Sequence, residues 1–140
     1  MPKRRIFISF DHEDAAQVNG FLGLRNILDN FEFYNHKLDR RIMSSDPEYV
    51  CRVIRDDYIR PASVTVVLIG NKTAQSRWVQ WEIQESLRQG KGILGIHLLN
   101  THGSVPEGIP SGHVGSWDPH QFPSWIEWAY QHPPQQAQRL

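Results

Sequence analysis

The six residues Val64-Thr65-Val66-Val67-Leu68-Ile69 are apolar except for one threonine, and Gly70 follows them. β-Branched side chains dominate the run, so it reads as a strand. A strand with one wet face alternates polar and apolar positions, and this one does not. Both of its faces must be covered, which is the condition met inside a parallel sheet flanked by helices. Ile93-Leu94-Gly95-Ile96-His97-Leu98 repeats the pattern, and Arg5-Ile6-Phe7-Ile8-Ser9-Phe10 opens the chain in the same way. Phe31 to Asn35 is a shorter candidate strand, expected near a sheet edge.

Helical spacing fills the intervals. From Asp14 to Asn30, Val18, Phe21, Leu22, Arg25 and Leu28 fall near one face. Gly20 and Gly23 weaken that helix by about 1 kcal/mol each. Asp11, three residues before Asp14, makes a carboxylate variant of the N-terminal capping pattern. In Ser45-Asp46-Pro47-Glu48, Asp46 caps, Pro47 suits the first turn and Glu48 complements the helix dipole. Val50, Val53, Ile54 and Tyr58 carry that helix towards Pro61. Ser76 is the expected cap of a helix over Arg77 to Gln89, closed by Gly90. Strand and helix alternate throughout, which predicts an α/β doubly wound fold on a mainly parallel sheet of about five strands.

Asn35 to Ser45 is polar and charged and reads as a loop. Leu99 to Phe122 dissolves into Gly, Pro and His, with Val114 to Trp117 as a last short strand. Loops this long in a compact domain are often functional. Pro123 to Tyr130 reads as a closing helix with an aromatic face. No repeat or linker interrupts the pattern, so a single domain is expected over residues 4–132, with 133–140 a disordered tail.

The length of 140 residues suits one domain, as compact domains cluster around ~100–150 residues. Lys and Arg (15) balance Asp and Glu (15), which argues against a general nucleic-acid or anionic-membrane binder. The single cysteine, Cys51, excludes an internal disulfide framework and a Cys-rich zinc module. No apolar run approaches the ~18 residues of a membrane span. Lys3-Arg4-Arg5 mimics a signal n-region, but Asp11 and Glu13 cut short the apolar stretch that a signal peptide needs. A cytoplasmic protein is the resulting expectation.

In open α/β sheets ligands bind beyond the carboxyl ends of strands, where strand order reverses. Ser9, Phe10, Asp11 and His12 follow the first strand there, and Gly70 and Asn71 follow the buried one. The Asn35–Ser45 loop, with Asp39, Arg40 and Arg41, is expected at the same rim. Within the helix that starts at Arg77, Val79, Ile83 and Leu87 form the core stripe. Glu82 lies roughly 60° round from Val79, flanking that stripe, with Trp78 one turn earlier. A carboxylate beside an indole at a cleft edge is open to tuning by desolvation. Spacing alone nonetheless favours an exposed glutamate paired with Lys or Arg. For Trp81, packing against a neighbouring helix is the commoner role than a stacking surface.

Other chemistries lack their residues. A phosphoacceptor receiver needs an Asp ending its central strand, where Gly70-Asn71 stands here. No Gly-x-Gly-x-x-Gly fingerprint follows the first strand, and no P-loop is present. The seven histidines show no tight zinc-ligand spacing. Cys51 reads as a buried inert thiol, and His12 as either a general acid or a solvated helix-start residue.

Four blocks in order carry a family resemblance: Lys3 to Phe10, Val64 to Gly70, Arg77-Trp78-Val79-Gln80-Trp81-Glu82-Ile83, and Ile93 to His97. They resemble the Toll/interleukin-1 receptor (TIR) domain, in the flavour of the TIR-like ThsB group of bacterial Thoeris anti-phage systems. The likeness runs well from Arg4 to about Leu99 and weakly through Trp125 to Trp128. It implies a three-layer, flavodoxin-like sheet and an NAD⁺-cleaving site. By this resemblance Glu82 is the catalytic glutamate. The resemblance maps the rim after strand one to Phe10 and Asp11 and the strand-two loop to Asp39 and Arg41. Ser9, Gly70 and Asn71 at the strand ends, with Trp78 beside Glu82, complete the expected substrate-binding positions. No metal and no cofactor are expected, NAD⁺ being the substrate. Phe10-Asp11 stands where common TIR domains have a Tyr-Ser pair, and the strand-two loop lacks a Gly-Pro tip.

The implied product is a cyclic or linear ADP-ribose-type second messenger that activates a separate effector protein. Self-association and a phage-derived trigger belong to the same expectation. Two alternatives stand beside it: a non-enzymatic TIR-like scaffold that associates with its own kind, and, more weakly, a nucleoside-sugar transferase.

Overall fold

The computed structural model describes residues 3–34 and 46–134. Its sheet has five strands: β1 (Arg4–Phe10), β2 (Phe31–Tyr34), β3 (Val64–Ile69), β4 (Gly92–His97) and β5 (Val114–Gly115). All neighbours are parallel, in the order β2-β1-β3-β4-β5. This is the flavodoxin-like order. The chain passes outward from β1 to β2 and then returns across β1 to β3, so the order reverses between β1 and β3.

Alternation along the strands sorts side chains between two faces. Ile6, Ile8 and Phe10 of β1 and Val64, Val66 and Leu68 of β3 point one way. They meet Val18 and Phe21 of α1 (Ala15–Leu22) and Phe122, Ile126 and Ala129 of the closing helix. On the opposite face Val67 and Ile69 pack on Val79 and Ile83, while Phe7 packs on Ile54, Tyr58 and Ile59. Every residue of β3 is buried, as its unbroken apolar run requires.

Three elements differ from their sequence expectation. The Asp14–Asn30 helix is broken into a 3₁₀ turn (His12–Asp14), α1, and α2 (Arg25–Leu28). Gly23 ends the first segment, and Leu24 leaves helical geometry at ψ 55°. The glycine pair Gly20 and Gly23 lowers the local helix propensity enough for the chain to turn there. The helix capped by Asp46, α3 (Pro47–Val53), widens into a π-helical stretch over Ile54–Ile59. The final strand is only Val114–Gly115, and Trp117, expected at its end, packs instead on Phe21 and Phe122.

The remaining end signals act as their chemistry predicts. Asp46 accepts from the Glu48 amide at 3.0 Å with Pro47 in the first turn. Ser76 accepts from the Val79 amide at 3.2 Å and starts α4 (Arg77–Arg88), and Gly90, at φ 74°, lets the chain leave it. The closing helix, α5, runs from Phe122 to Gln131. Among the described residues no helix is long and apolar enough to cross a membrane.

Candidate active site

The face that carries Phe7 on β1 also carries Ser9, because the two are separated by one residue. Ser9 therefore points at α4, in the middle of an otherwise apolar contact. Its hydroxyl donates to Glu82 Oε1 at 2.6 Å, and both residues are fully buried. The expectation of an exposed Glu82 on the flank of the core stripe is overturned. α4 buries a wide arc that takes in Val79, Glu82, Ile83, Glu85 and Ser86.

A second buried polar pair lies one turn further along the helix. Ser86 Oγ donates to the Glu82 carbonyl at 2.7 Å, and Thr65 Oγ1 of β3 lies 2.7 Å from Ser86 Oγ. A hydroxyl has one proton to give, so Thr65 is the donor of that second contact. Ser9, Thr65, Glu82 and Ser86 are all 0% exposed. Buried polar groups persist when they are hydrogen-bonded, and this pairing holds α4 in one rotation and one register over β1 and β3.

The other expected site residues divide. Trp78 is half-buried and meets Trp81 edge to face at 6.3 Å and 84°. Both indoles pack against the cluster of Phe7, Ile54, Tyr58 and Ile59. Trp81 thus takes the packing role favoured by spacing. Phe10 is 1% exposed and lies in the core with Val18 and Phe21, so its ring supports the rim from beneath and offers no face to a ligand. Strand alternation gives this result: Phe10 points away from the face that holds Ser9 and Glu82. Asp11 is half-buried at the rim and accepts from the Glu13 amide at 3.4 Å. Asp39 and Arg41, with Lys37 and Arg40, lie outside the described residues, as does the tail from residue 135.

Gly70 and Asn71 form the opposite lip. A Cβ on Gly70 would lie 2.2 Å from Asp14 Oδ2, so only glycine fits against that carboxylate. A Cβ on Gly103 would in turn lie 1.9 Å from the Gly70 carbonyl oxygen. The Gly70 amide donates to Thr73 Oγ1 at 2.7 Å, and that hydroxyl donates to Asp14 Oδ2 at 3.4 Å. Asn71 Oδ1 accepts from the His102 amide at 2.8 Å, and Thr101 Oγ1 donates to the Leu98 carbonyl at 2.7 Å. Gln17 adds a bond to the Leu99 carbonyl at 3.0 Å. The start of the Leu99–Phe122 segment is thereby fastened across the end of β3.

Thr73 and Ser86 do not stand out in the sequence, while Thr65 is visible there only as the polar exception in its strand and Asp14 only as part of a capping pattern. The available signal is their type and place: short hydroxyl or carboxylate side chains inside or directly after apolar runs, where each needs a partner.

Two further groups on this side have shifted acidities. Burial pushes the Cys51 thiol up, against the pull of Arg55, and Glu48, Glu82 and Glu85 add to the rise. The thiol is half-buried rather than enclosed. For Glu85, 7% exposed, burial would raise the carboxyl, but hydrogen bonds from Arg88 and Gln89 outweigh it and hold the group below its ordinary value.

The chain thus has a flavodoxin-like parallel sheet with a buried glutamate on α4 joined to β1 at the switch point. The sequence model of the family described as "Thoeris protein ThsB, TIR-like domain" matches residues 7–102, more than half of the 140-residue chain. The chain belongs to that family. It is also similar to a protein of Bacillus cereus (strain MSX-D12) named "Putative cyclic ADP-D-ribose synthase ThsB1", with 53% identity over 36 residues. That stretch is 26% of this chain and spans 19% of the relative's length.

Proposed function

We propose that this chain is an NAD⁺-cleaving TIR-like enzyme, with Glu82 its catalytic carboxylate. In this reading its product is a cyclic ADP-ribose-type messenger that activates an effector in bacterial anti-phage defence. The observation that carries the reading is the fully buried Ser9–Glu82 pair at the point where strand order reverses. Membership of the ThsB family supports it, as does the name of the Bacillus relative.

Cleaving the bond between nicotinamide and ribose develops positive charge at the anomeric carbon, as in an oxocarbenium-like transition state. Nicotinamide leaves from a cationic pyridinium as a neutral molecule, so the step needs no strong acid. A carboxylate fixed beside the ribose stabilises the growing charge more than the ground state, which is what accelerates the step. Ser9 supports this role by holding one carboxylate oxygen in place, so little reorganisation accompanies the reaction. Because Glu82 is fully covered, a substrate reaches it only after the covering groups move. The same enclosure excludes water and favours capture of the ribosyl cation by an adenine nitrogen, which closes a ring. A phage-derived trigger would act on that opening step.

The test is to incubate the purified protein with NAD⁺, in buffer and in infected-cell lysate, and to resolve nicotinamide chromatographically. Release that falls about 10²–10³-fold in Glu82→Gln is the expected result, the range found for loss of one preorganised electrostatic group. Unchanged release in that variant overturns the assignment of Glu82. No nicotinamide even in infected-cell lysate overturns the enzymatic reading.

A further inference from the structure

Away from the Ser9–Glu82 pair, α3 and its π-helical extension border a cavity of about 410 Å³ lined by Pro47, Glu48, Cys51, Arg52 and Arg55. Arg52 and Arg55 stand three residues apart, so they share a side of the helix. The Arg52 guanidinium lies over the Tyr49 ring at 5.6 Å, which restrains it beside the cavity. Arg55 stands in the π-helical stretch, where the Arg60 amide reaches back to the Arg55 carbonyl at 3.0 Å. Such wide turns recur at functional sites. Asp56 Oδ1 lies 3.6 Å from Arg55 Nε but 2.9 Å from Arg60 Nη2, so the shared acid is held closer by the other arginine. Among the described residues, Glu48 is the one acid of the lining, against two guanidiniums.

We propose that Arg52 and Arg55 form an anion site in this cavity that takes a diphosphate group. Two planar guanidiniums on one helix side present paired N–H donors to adjacent phosphoryl oxygens, which a single ammonium cannot do. The Gln89 side chain at the end of α4 donates to the Arg55 carbonyl at 3.4 Å and to Glu85 Oε2 at 2.8 Å, so the end of α4 borders this helix. In the proposed NAD⁺ reaction such a site would take the diphosphate of the substrate. That last identification rests on the proposed NAD⁺ reaction, whereas the anion site does not.

Cys51 is the only cysteine in the chain and lines the cavity, so its alkylation reports occupancy without any turnover. The experiment measures the iodoacetamide rate at Cys51 in inorganic pyrophosphate and in sodium chloride of equal ionic strength. Saturable slowing is expected, about tenfold once pyrophosphate reaches about nine times its Kd, because only the unliganded fraction reacts. Arg52→Gln and Arg55→Gln should each lose most of that ratio, with near-ultraviolet circular dichroism unchanged, whereas Lys72→Gln keeps it. Equal rates in the two salts, or full protection retained in both arginine variants, overturn the site. Protection by pyrophosphate but none by NAD⁺ leaves the anion site standing and overturns its link to the proposed substrate. Nicotinamide release is measured separately, so failure of that reaction is told apart from failure of this site.

Discussion

Ser9 of β1 and Glu82 of α4 meet at 2.6 Å, both fully buried and 73 positions apart in sequence. The contact joins the strand at the switch point to the helix that follows the adjacent strand. Ser9→Ala removes the hydroxyl that β1 sends to Glu82. The carboxylate then keeps its position in the chain but loses one restraint on its rotamer. If Glu82 acts on the transition state, kcat should fall about tenfold while KM stays near its original value, since an interaction realised only at the transition state is affected. Steady-state kinetics of nicotinamide release check it, and a change confined to KM would contradict it.

Gly70→Ala tests the lip on the β3 side. The added methyl would overlap the Asp14 carboxylate, whose oxygens lie 2.2 and 2.5 Å from the Cβ position. Overpacking of this kind costs about 1–3 kcal/mol. Thermal or urea unfolding should show that loss. In the Asp14→Ala background the same substitution should cost less, because the clashing group is gone. Additive losses in the double variant would mean that Asp14 is not the group Gly70 accommodates.

The sheet is largely legible in the sequence because its signals are local. Val64–Ile69 states its double burial in six consecutive residues, and Ser76 with Gly90 brackets α4. The environment of Glu82 is not legible, because helical spacing gives an angle but not the width of the arc that neighbours cover. That width depends on Ser9 and Thr65, on strands distant in sequence. The one polar residue inside Ile6-Phe7-Ile8-Ser9-Phe10 is the available hint, since a buried hydroxyl demands a partner. Phe10 shows the complementary error. Its place at the end of β1 is plain from the sequence, but alternation sends its ring to the other face of the sheet. The break at Gly23–Leu24 follows the weak helix propensity of Gly20 and Gly23, whereas no local signal marks the π-helical stretch from Ile54.

Asn71→Ala should loosen the segment fastened across the end of β3. Asn71 Oδ1 accepts from the His102 amide at 2.8 Å, an exposed contact, so its loss costs about 1 kcal/mol or less. The effect should be local. Hydrogen exchange at His102 is expected to accelerate while the amides of β3 keep their protection. Equal acceleration across β3 would show that the bond supports the whole sheet end rather than the segment above it.

Glu85 gives a pH-dependent prediction. Burial alone would raise its carboxyl, but the hydrogen bonds from Arg88 and Gln89 prevail and set it below the ordinary value of 4.5. The Gln89 amide lies 2.8 Å from Oε2, and Arg88 contacts the same carboxylate. A carboxyl more acidic in the folded than in the unfolded chain binds fewer protons when folded. It therefore contributes stability that is complete above the unfolded value and is lost as the pH falls through the folded one. Glu85→Gln should thus destabilise the protein near neutral pH, and the difference from the unsubstituted chain should shrink steadily below the ordinary glutamate range. Arg88 is mostly exposed, so salt should weaken the effect in part. Urea unfolding of both proteins across the acid range measures it. A difference that stays constant with pH would mean that Glu85 acts through packing and not through its charge.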